Sequence, residues 1–276
     1  MKKIDFYSFE QQDEFIINIF DQKQNGFFLD VGCSHPVLGS NTYTLEKQFG
    51  WTGYCFDMDM LDGRHWNAST QLYETVSWHS DRTAPWIYMD VKSPEFTEFL
   101  KINVKDTVVD YISLDVDKPS TMPNQPNEIF SLAALYRILD SNIKFKSITF
   151  EHEYRTWGNT YKNPAIEALR DNGFFPIIDN MKIWGGHVVP DSIGYTEDWW
   201  VHKDYFRDLI NVRYSNIWYF DAVLNVRRIK DSKYIGHRHC SMAYPKQHDV
   251  FADDASAKGC IDRDPWWRHA YYSDLS

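Results

Sequence analysis

Cysteine is scarce in this chain, with four residues among 276. The four positions show no disulfide-framework spacing, which excludes the class of small secreted domains that disulfides hold together. Residues 1–9 contain two lysines but no apolar run after them, so they do not have the pattern of a signal peptide. We therefore expect a reducing compartment and a cytoplasmic location.

An excess of positive charge and long apolar runs are also missing. Lys and Arg total 29 against 39 Asp and Glu, which gives a formal net charge of −10. Such a surface repels phosphate backbones, so nucleic acid is a disfavoured partner, and a small-molecule or glycan acceptor fits the charge better. No stretch of about 18 apolar residues occurs, so no membrane span is expected.

Aromatic residues are plentiful, with 11 Trp, 17 Tyr and 18 Phe. Together with the chain length they predict one sizeable core in a domain over residues 1–205. The periodicity weakens after that point. The extension over residues 206–276 is expected to pack on the core as an irregular, aromatic-rich cap, because so many large rings are rarely left in solvent.

Short apolar runs alternate with helical patterns through the first domain. Strands are predicted at 27–31, 52–56, 72–76, 109–114, 147–150, 174–178 and 197–202. Helices are predicted after a Ser8–Gln11 capping box, after Ser40, and at 95–103, 128–139 and 164–172. This alternation is typical of βαβ units, and it predicts an α/β fold with a Rossmann-like, doubly wound and mainly parallel sheet.

The segment from Gly26 to Asp57 has the pattern of a ligand-binding turn between two strands. Asp30 and Gly32 end the first strand, and Asp57 ends the second. In an open parallel sheet such strand ends meet at the ligand crevice. Asp57 could accept hydrogen bonds from both hydroxyls of a ribose, and Gly32 would let the backbone approach the ligand.

The phosphate loop of dinucleotide-binding folds is missing from this turn. The turn is longer than G-x-G-x-x-G, it has only two glycines, and Pro36 has no N–H to donate. An acidic Asp30 beside the ligand also suits a cation better than a phosphate. The turn thus favours S-adenosylmethionine, and an NAD-linked oxidoreductase is the weaker alternative. His35 lies in the same turn and is a further candidate for contact with the cofactor.

Several motifs of the chain resemble those of FkbM-type S-adenosylmethionine-dependent methyltransferases. They are Gly26-Phe-Phe-Leu-Asp30-Val-Gly32, Ser40-Asn41-Thr42, Gly50-Trp51-Thr52-Gly53, Asp110-Tyr-Ile-Ser-Leu-Asp115-Val-Asp117, Glu151-His152-Glu153 and Glu197-Asp198-Trp199-Trp200. The resemblance covers roughly residues 20–205. It implies a class I methyltransferase fold and O-methylation of a carbohydrate or small-molecule hydroxyl. It also implies that Ser40, Asn41 and Asp115 contact the cofactor.

Methyl transfer from a sulfonium is an in-line displacement, in which the enzyme aligns the acceptor and accepts its proton. The candidate catalytic residues are Asp115, Asp117, His152 and Glu153. If both segments are extended, Asp115 and Asp117 share a face, as do Glu151 and Glu153, and His152 points to the opposite face.

Three interpretations of these residues stay open. Asp115, Asp117 and Glu151 could hold a Mg²⁺-type ion that activates the acceptor hydroxyl. Without a metal, Asp115 or His152 would act as the base. Alternatively, the carboxylates pair with Lys or Arg at the surface. The alternative to an enzyme is a binding module with a vestigial cofactor pocket, which Pro36 and Lys118 motivate.

Overall fold

The computed structural model describes residues 4–8, 10–58, 64–67, 72–75, 81–117, 130–183, 194–210 and 214–215. The strands are β1 (Phe27–Val31), β2 (Thr52–Asp57), β3 (Arg64–Asn67), β4 (Leu72–Thr75), β5 (Trp86–Tyr88), β6 (Val109–Leu114), β7 (Phe145–Glu151), β8 (Phe174–Ile183), β9 (Gly194–His202) and β10 (Tyr214–Ser215). The helices are α1 (Gln12–Ile19), α2 (Tyr43–Phe49), α3 (Pro94–Asn103), α4 (Ser131–Asp140), α5 (Tyr154–Trp157), α6 (Asn159–Asp171) and α7 (Arg207–Ile210).

Eight strands form one sheet in the order β10-β8-β9-β7-β6-β1-β2-β5. β1 pairs in parallel with β2 and β6, β2 pairs in parallel with β5, and β6 pairs in parallel with β7. β9 runs antiparallel between β7 and β8. The predicted α/β fold with a mainly parallel sheet is confirmed, and the strand order is compatible with a Rossmann-like fold.

One predicted strand lies outside this sheet. The strand expected at 72–76 is β4, and it pairs antiparallel with β3 in a separate two-stranded sheet. The neighbour of β2 is instead β5, which has only three residues and was not predicted. Its shortness explains the miss, because a three-residue run carries too little periodicity to identify a strand. The other predicted strands all lie in the eight-stranded sheet.

The core consists of two apolar clusters on the two faces of the sheet. Adjacent residues of one strand enter different clusters, as their alternating side chains require: Phe28 of β1 belongs to one and Leu29 to the other, and Trp199 and Trp200 of β9 are divided in the same way. Both tryptophans are fully buried. They therefore complete the core. All six residues of β6 are buried, which is the pattern of a central parallel strand covered on both faces.

The start of α1 differs from the predicted capping box. The residue before the helix is Gln11, which has a left-handed conformation with φ 67° and makes no side-chain cap hydrogen bond. The Ser8 hydroxyl instead donates to the Asp13 carboxylate at 2.5 Å and accepts from the Asp13 N–H. Ser8 thus ties the N-terminal segment to the first turn of α1, where Asp13 also accepts from the Thr44 hydroxyl.

The other predicted helices begin near their predicted positions with one clear exception, and the short helices α5 and α7 were not predicted. α6 starts at Asn159, five residues before the predicted start, and contains Pro164 in its interior. No described helix is long and apolar enough to cross a membrane. Most of the predicted extension, residues 211–213 and 216–276, lies outside the described residues, so its role as a cap stays a prediction.

Candidate functional site

A cavity of about 330 Å³ opens at the carboxyl ends of the parallel strands. β1 lies at its centre, between β2 on one side and β6 on the other, where the direction of strand succession reverses. Open α/β sheets bind their ligands at this position. The described residues that line the cavity are Asp30, Gly32, Cys33, Ser34, Leu38, Gly39, Ser40, Asn41, Phe56, Asp57, Met58, Met89, Asp90, Val91, Asp115, Val116, Asp117 and Phe130.

Successive strands each place an aspartate at this cavity. Asp90 follows β5, Asp57 ends β2, Asp30 lies in β1 and Asp115 follows β6, in the order of the strands across the sheet. Asp117 adds a fifth carboxylate, and the described lining contains no Lys or Arg. The cavity therefore favours a ligand with positive charge and several hydrogen-bond donors. Asp90 was not among the predicted site residues, because the strand before it was missed.

Gly32 allows a close approach of the backbone that the sequence did not predict. Its φ is +87°, and a Cβ at this position would lie 1.7 Å from the carbonyl oxygen of Asp115. The glycine lines the cavity, but its missing side chain makes room for the chain itself where β6 ends. Gly32 therefore has a structural requirement, and its predicted contact with a ligand stays a prediction.

Two predicted contacts, Asp57 and His35, hold the turn after β1. The Asp57 carboxylate accepts a hydrogen bond from the Ser34 N–H at 2.8 Å and also lines the cavity. The His35 Nδ1 accepts from the N–H groups of Val37 and Leu38, at 3.0 and 2.8 Å. His35 does not line the cavity, so the structure gives it a role in shaping the turn.

Asp30 is held by the residues of the Ser40-Asn41-Thr42 motif. The Thr42 hydroxyl donates to Asp30 Oδ2 at 2.5 Å, and the Asn41 amide donates to the Ser113 hydroxyl, which itself hydrogen-bonds Asp30. Burial raises the pKa of Asp30 to about 6, while Arg82 and the hydroxyls of Thr42 and Ser113 act in the opposite direction. Asp30 is therefore mostly ionised at pH 7, although it is almost fully buried.

Ser40 accepts a hydrogen bond from the buried Arg82, a residue that sequence reasoning missed. Ser40 Oγ also accepts from the N–H groups of Thr42 and Tyr43, which supports its predicted role at the start of α2. Ser40 and Asn41 both line the cavity. Nothing in the pattern around Arg82 indicates burial, because its partners lie about 40 residues earlier in the chain.

Carboxyl groups converge beside the cavity where β6 and β7 end. Burial and the Asp115 carboxyl, which is within hydrogen-bonding range, raise the pKa of Glu151 well above its usual value. Burial, followed by the charges of Glu10 and Asp115, also raises the pKa of Glu197. Glu197 accepts a hydrogen bond from the Gln12 amide at 3.0 Å. The protonated form of Glu151 is therefore favoured beside Asp115.

The expected sharing of faces depends on extended segments, and the segment after β7 is not extended at Glu153. β6 ends at Leu114, yet Asp115 and Asp117 both line the cavity. β7 ends at Glu151, and Glu153 has a left-handed conformation with φ 45°. Glu153 accepts a hydrogen bond from the Thr156 hydroxyl, and neither Glu151 nor Glu153 lines the cavity.

His152 lies in a buried ionic network and not at the cavity. Its Nδ1 accepts from the Tyr154 N–H at 3.1 Å, and its Nε2 lies 3.2 Å from Asp198 Oδ1. Lys162 Nζ lies at the same distance from that oxygen. Although burial opposes it, His152 and Lys162 hold the pKa of Asp198 below its usual value. This placement favours a structural role for His152 over that of a base.

The two aspartates of the Asp110–Asp115 motif lie at opposite ends of β6. Asp110 is buried and bonds to Lys23 Nζ at 2.6 Å, Lys146 Nζ at 2.7 Å and the Phe27 N–H at 3.0 Å. It ties β1, β6 and β7 together far from the cavity. Only Asp115 belongs to the site.

A metal centre is not formed by the predicted ligands. Within the described ranges, no group of three or more His, Cys, Asp or Glu side chains is arranged to hold a metal ion. Burial and the Asp115 carboxyl, through its charge and a hydrogen bond, instead raise the pKa of Glu151. The predicted Mg²⁺ therefore has no support from the geometry of the described residues and stays a prediction.

Comparison with known proteins does not identify a family for the chain. The resemblance to FkbM-type methyltransferases rests on the short motifs alone. No family model matches the chain, and no curated protein matches it.

Proposed function

We propose that the chain is an S-adenosylmethionine-dependent methyltransferase with a class I Rossmann-like fold, which methylates a hydroxyl group of a carbohydrate or another small molecule. The observation that carries the proposal is the cavity at the centre of the sheet, to which neighbouring strands each contribute an aspartate. The motif resemblance described above points to the same activity.

The row of aspartates suits the chemistry of this methyl donor. Neighbouring strands are about 4.8 Å apart, so the carboxylates from Asp90 to Asp115 cover three intervals, roughly 14 Å. An elongated ligand with an amino group on its base, two ribose hydroxyls, a sulfonium and an ammonium group offers donors and positive charge along such a row. Asp57 is proposed to bind the ribose hydroxyls, and Asp30 to stabilise the cationic end.

The same row disfavours a dinucleotide. A pyrophosphate needs N–H donors or basic side chains, whereas five aspartates line this cavity and no described Lys or Arg does. The Pro36 carbonyl is occupied by Arg82, and proline supplies no N–H. An NAD-linked reaction is therefore a poor fit to these residues.

Asp115 is proposed as the base for the acceptor hydroxyl. When bound, the methyl donor supplies an electrophilic methyl group on sulfur. The acceptor oxygen forms the new C–O bond as the C–S bond breaks, and its proton passes to the Asp115 carboxylate. Glu151, whose pKa is raised by burial and by Asp115, is proposed to donate a hydrogen bond to Asp115 and so to fix its orientation. The surrounding acidic groups disfavour an anionic acceptor, which supports a neutral hydroxyl.

Calorimetry with S-adenosylmethionine, S-adenosylhomocysteine and NADH tests the proposal. We expect both sulfur nucleosides to bind and NADH not to bind. The variant Asp90→Asn should weaken both sulfur nucleosides, because it removes one carboxylate from the row. If neither sulfur nucleoside binds at millimolar concentration, the assignment is overturned, and NADH binding would favour the oxidoreductase.

A further inference from the structure

Arg82 is a buried cation placed behind the wall of the cavity. Its side chain is fully buried, and its guanidinium donates to Glu46 at 2.6 Å, to the Pro36 carbonyl at 3.1 Å and to the Ser40 hydroxyl at 3.1 Å. These contacts fix the turn after β1 and the start of α2 on one rigid planar group. Arg82 does not itself line the cavity.

A fourth contact connects Arg82 to Asp30 through one hydroxyl group. Arg82 Nη2 donates to Thr42 Oγ1 at 2.8 Å, and Thr42 Oγ1 lies 2.5 Å from Asp30 Oδ2. A guanidinium has no acceptor, so the hydroxyl oxygen accepts from Arg82. The single hydroxyl hydrogen is then directed to the Asp30 carboxylate. The direction of both hydrogen bonds is therefore fixed by the chemistry of the groups.

We propose that Arg82, acting through the Thr42 hydroxyl, is a positioning residue that holds Asp30 as an anion oriented for a cationic ligand. The inference rests on the proposed function, because the ligand concerned is the sulfonium donor. Arg82 reaches no ligand itself. Through Asp30, it makes the site bind the positively charged donor, S-adenosylmethionine, more tightly than the product, S-adenosylhomocysteine, whose sulfur is neutral.

Several other groups act on Asp30 from the elements around it. The Ser113 hydroxyl hydrogen-bonds it from β6, and the charge of Asp115 opposes its ionisation. The thiol of Cys33 and the phenol of Tyr111 are also within electrostatic range. Because burial already raises the pKa of Asp30 to about 6, loss of a donor should move its titration to higher pH.

The matched variants Thr42→Val and Thr42→Ser test this role without removing the Arg82–Glu46 pair. Valine has nearly the same shape as threonine but no hydroxyl, whereas serine keeps the hydroxyl. We expect Thr42→Val to weaken binding of S-adenosylmethionine at pH 6 more than binding of S-adenosylhomocysteine. A rise of one pH unit in the Asp30 titration would reduce its ionised fraction at pH 6 about fivefold. Thr42→Ser should behave like the wild type.

Both arms of the experiment use calorimetry between pH 5 and 8, and carboxyl ¹³C NMR follows Asp30 in the ligand-free protein. The role of Arg82 would be overturned if Thr42→Val and Thr42→Ser gave the same result in both measurements. These are the ratio of the affinities for S-adenosylmethionine and S-adenosylhomocysteine, and the titration of Asp30. Absence of binding in the wild type would instead overturn the methyltransferase, and the NMR titration would still decide whether the hydroxyl holds Asp30 ionised.

Discussion

The carbonyl oxygen of Asp115 lies in the space that the Cβ of any residue larger than glycine at position 32 would need. Two strands of the site thus meet in backbone contact, without side chains between them. The turn that follows β1 and the proposed base that follows β6 are therefore fixed relative to each other by main-chain geometry.

The variant Gly32→Ala should destabilise the protein by more than about 3 kcal/mol, because it combines a backbone clash with a strained φ of +87°. Urea unfolding measures the loss. Gly50→Ala is the control: its φ is +68°, but the added Cβ would meet only the Asn25 side chain, at 2.9 Å. We expect about 1 kcal/mol there. Equal losses in the two variants would contradict the importance of the Asp115 contact.

The two aspartates at the ends of β6 should separate stability from chemistry. Asp110→Asn weakens the contacts with Lys23 and Lys146 and should cost about 2 kcal/mol in the free energy of unfolding, with little effect on ligand affinity. Asp115→Asn should weaken ligand binding no more than Asp90→Asn does, because each variant removes one carboxylate from the row, but it should also reduce the methylation rate by about 10²-fold or more. Urea unfolding and single-turnover assays measure these effects, and the reverse pattern would exclude Asp115 as the base.

Asp57 should contribute to ligand binding and to the turn at once. Asp57→Ala removes the acceptor for the Ser34 N–H as well as the proposed ribose contact, whereas Asp57→Asn keeps one acceptor oxygen. We expect calorimetry to show affinity losses of about 100-fold for alanine and about tenfold for asparagine, since hydrogen bonds to charged groups contribute roughly 1.5–3 kcal/mol. The exposed Asp171→Ala serves as the control, and affinity unchanged in both Asp57 variants would remove Asp57 from the site.

Glu151 should make the protein less stable as pH rises. Its pKa in the folded protein is well above the usual value, so between those two pKa values the folded state binds more protons than the unfolded state. The free energy of unfolding then falls with increasing pH over that interval. In Glu151→Gln this contribution disappears, so the variant should gain stability relative to the wild type as pH increases above the usual glutamate range. Urea unfolding at several pH values tests the sign, and parallel curves would contradict it.

The sequence predicted long, strongly apolar elements better than short ones. β6 was predicted with its observed bounds because its buried run is continuous, and β5 was missed because three residues do not establish a pattern. Asp30 and Asp57 were found because they end recognisable strands. Arg82 was not, since a buried arginine is defined by partners distant in sequence, and local periodicity carries no trace of them.

The position of β9 has a consequence for synthesis of the chain. β7 and β8 precede β9 along the chain but are separated by it in the sheet. Neither strand can therefore pair with β9 until residues 194–202 have left the ribosome. Until then the ten-residue β8 and the inner edge of β7 present unpaired backbone groups, which favour association with other chains. Nascent chains paused before residue 194 should therefore be the most dependent on chaperones, and released fragments of that length should aggregate.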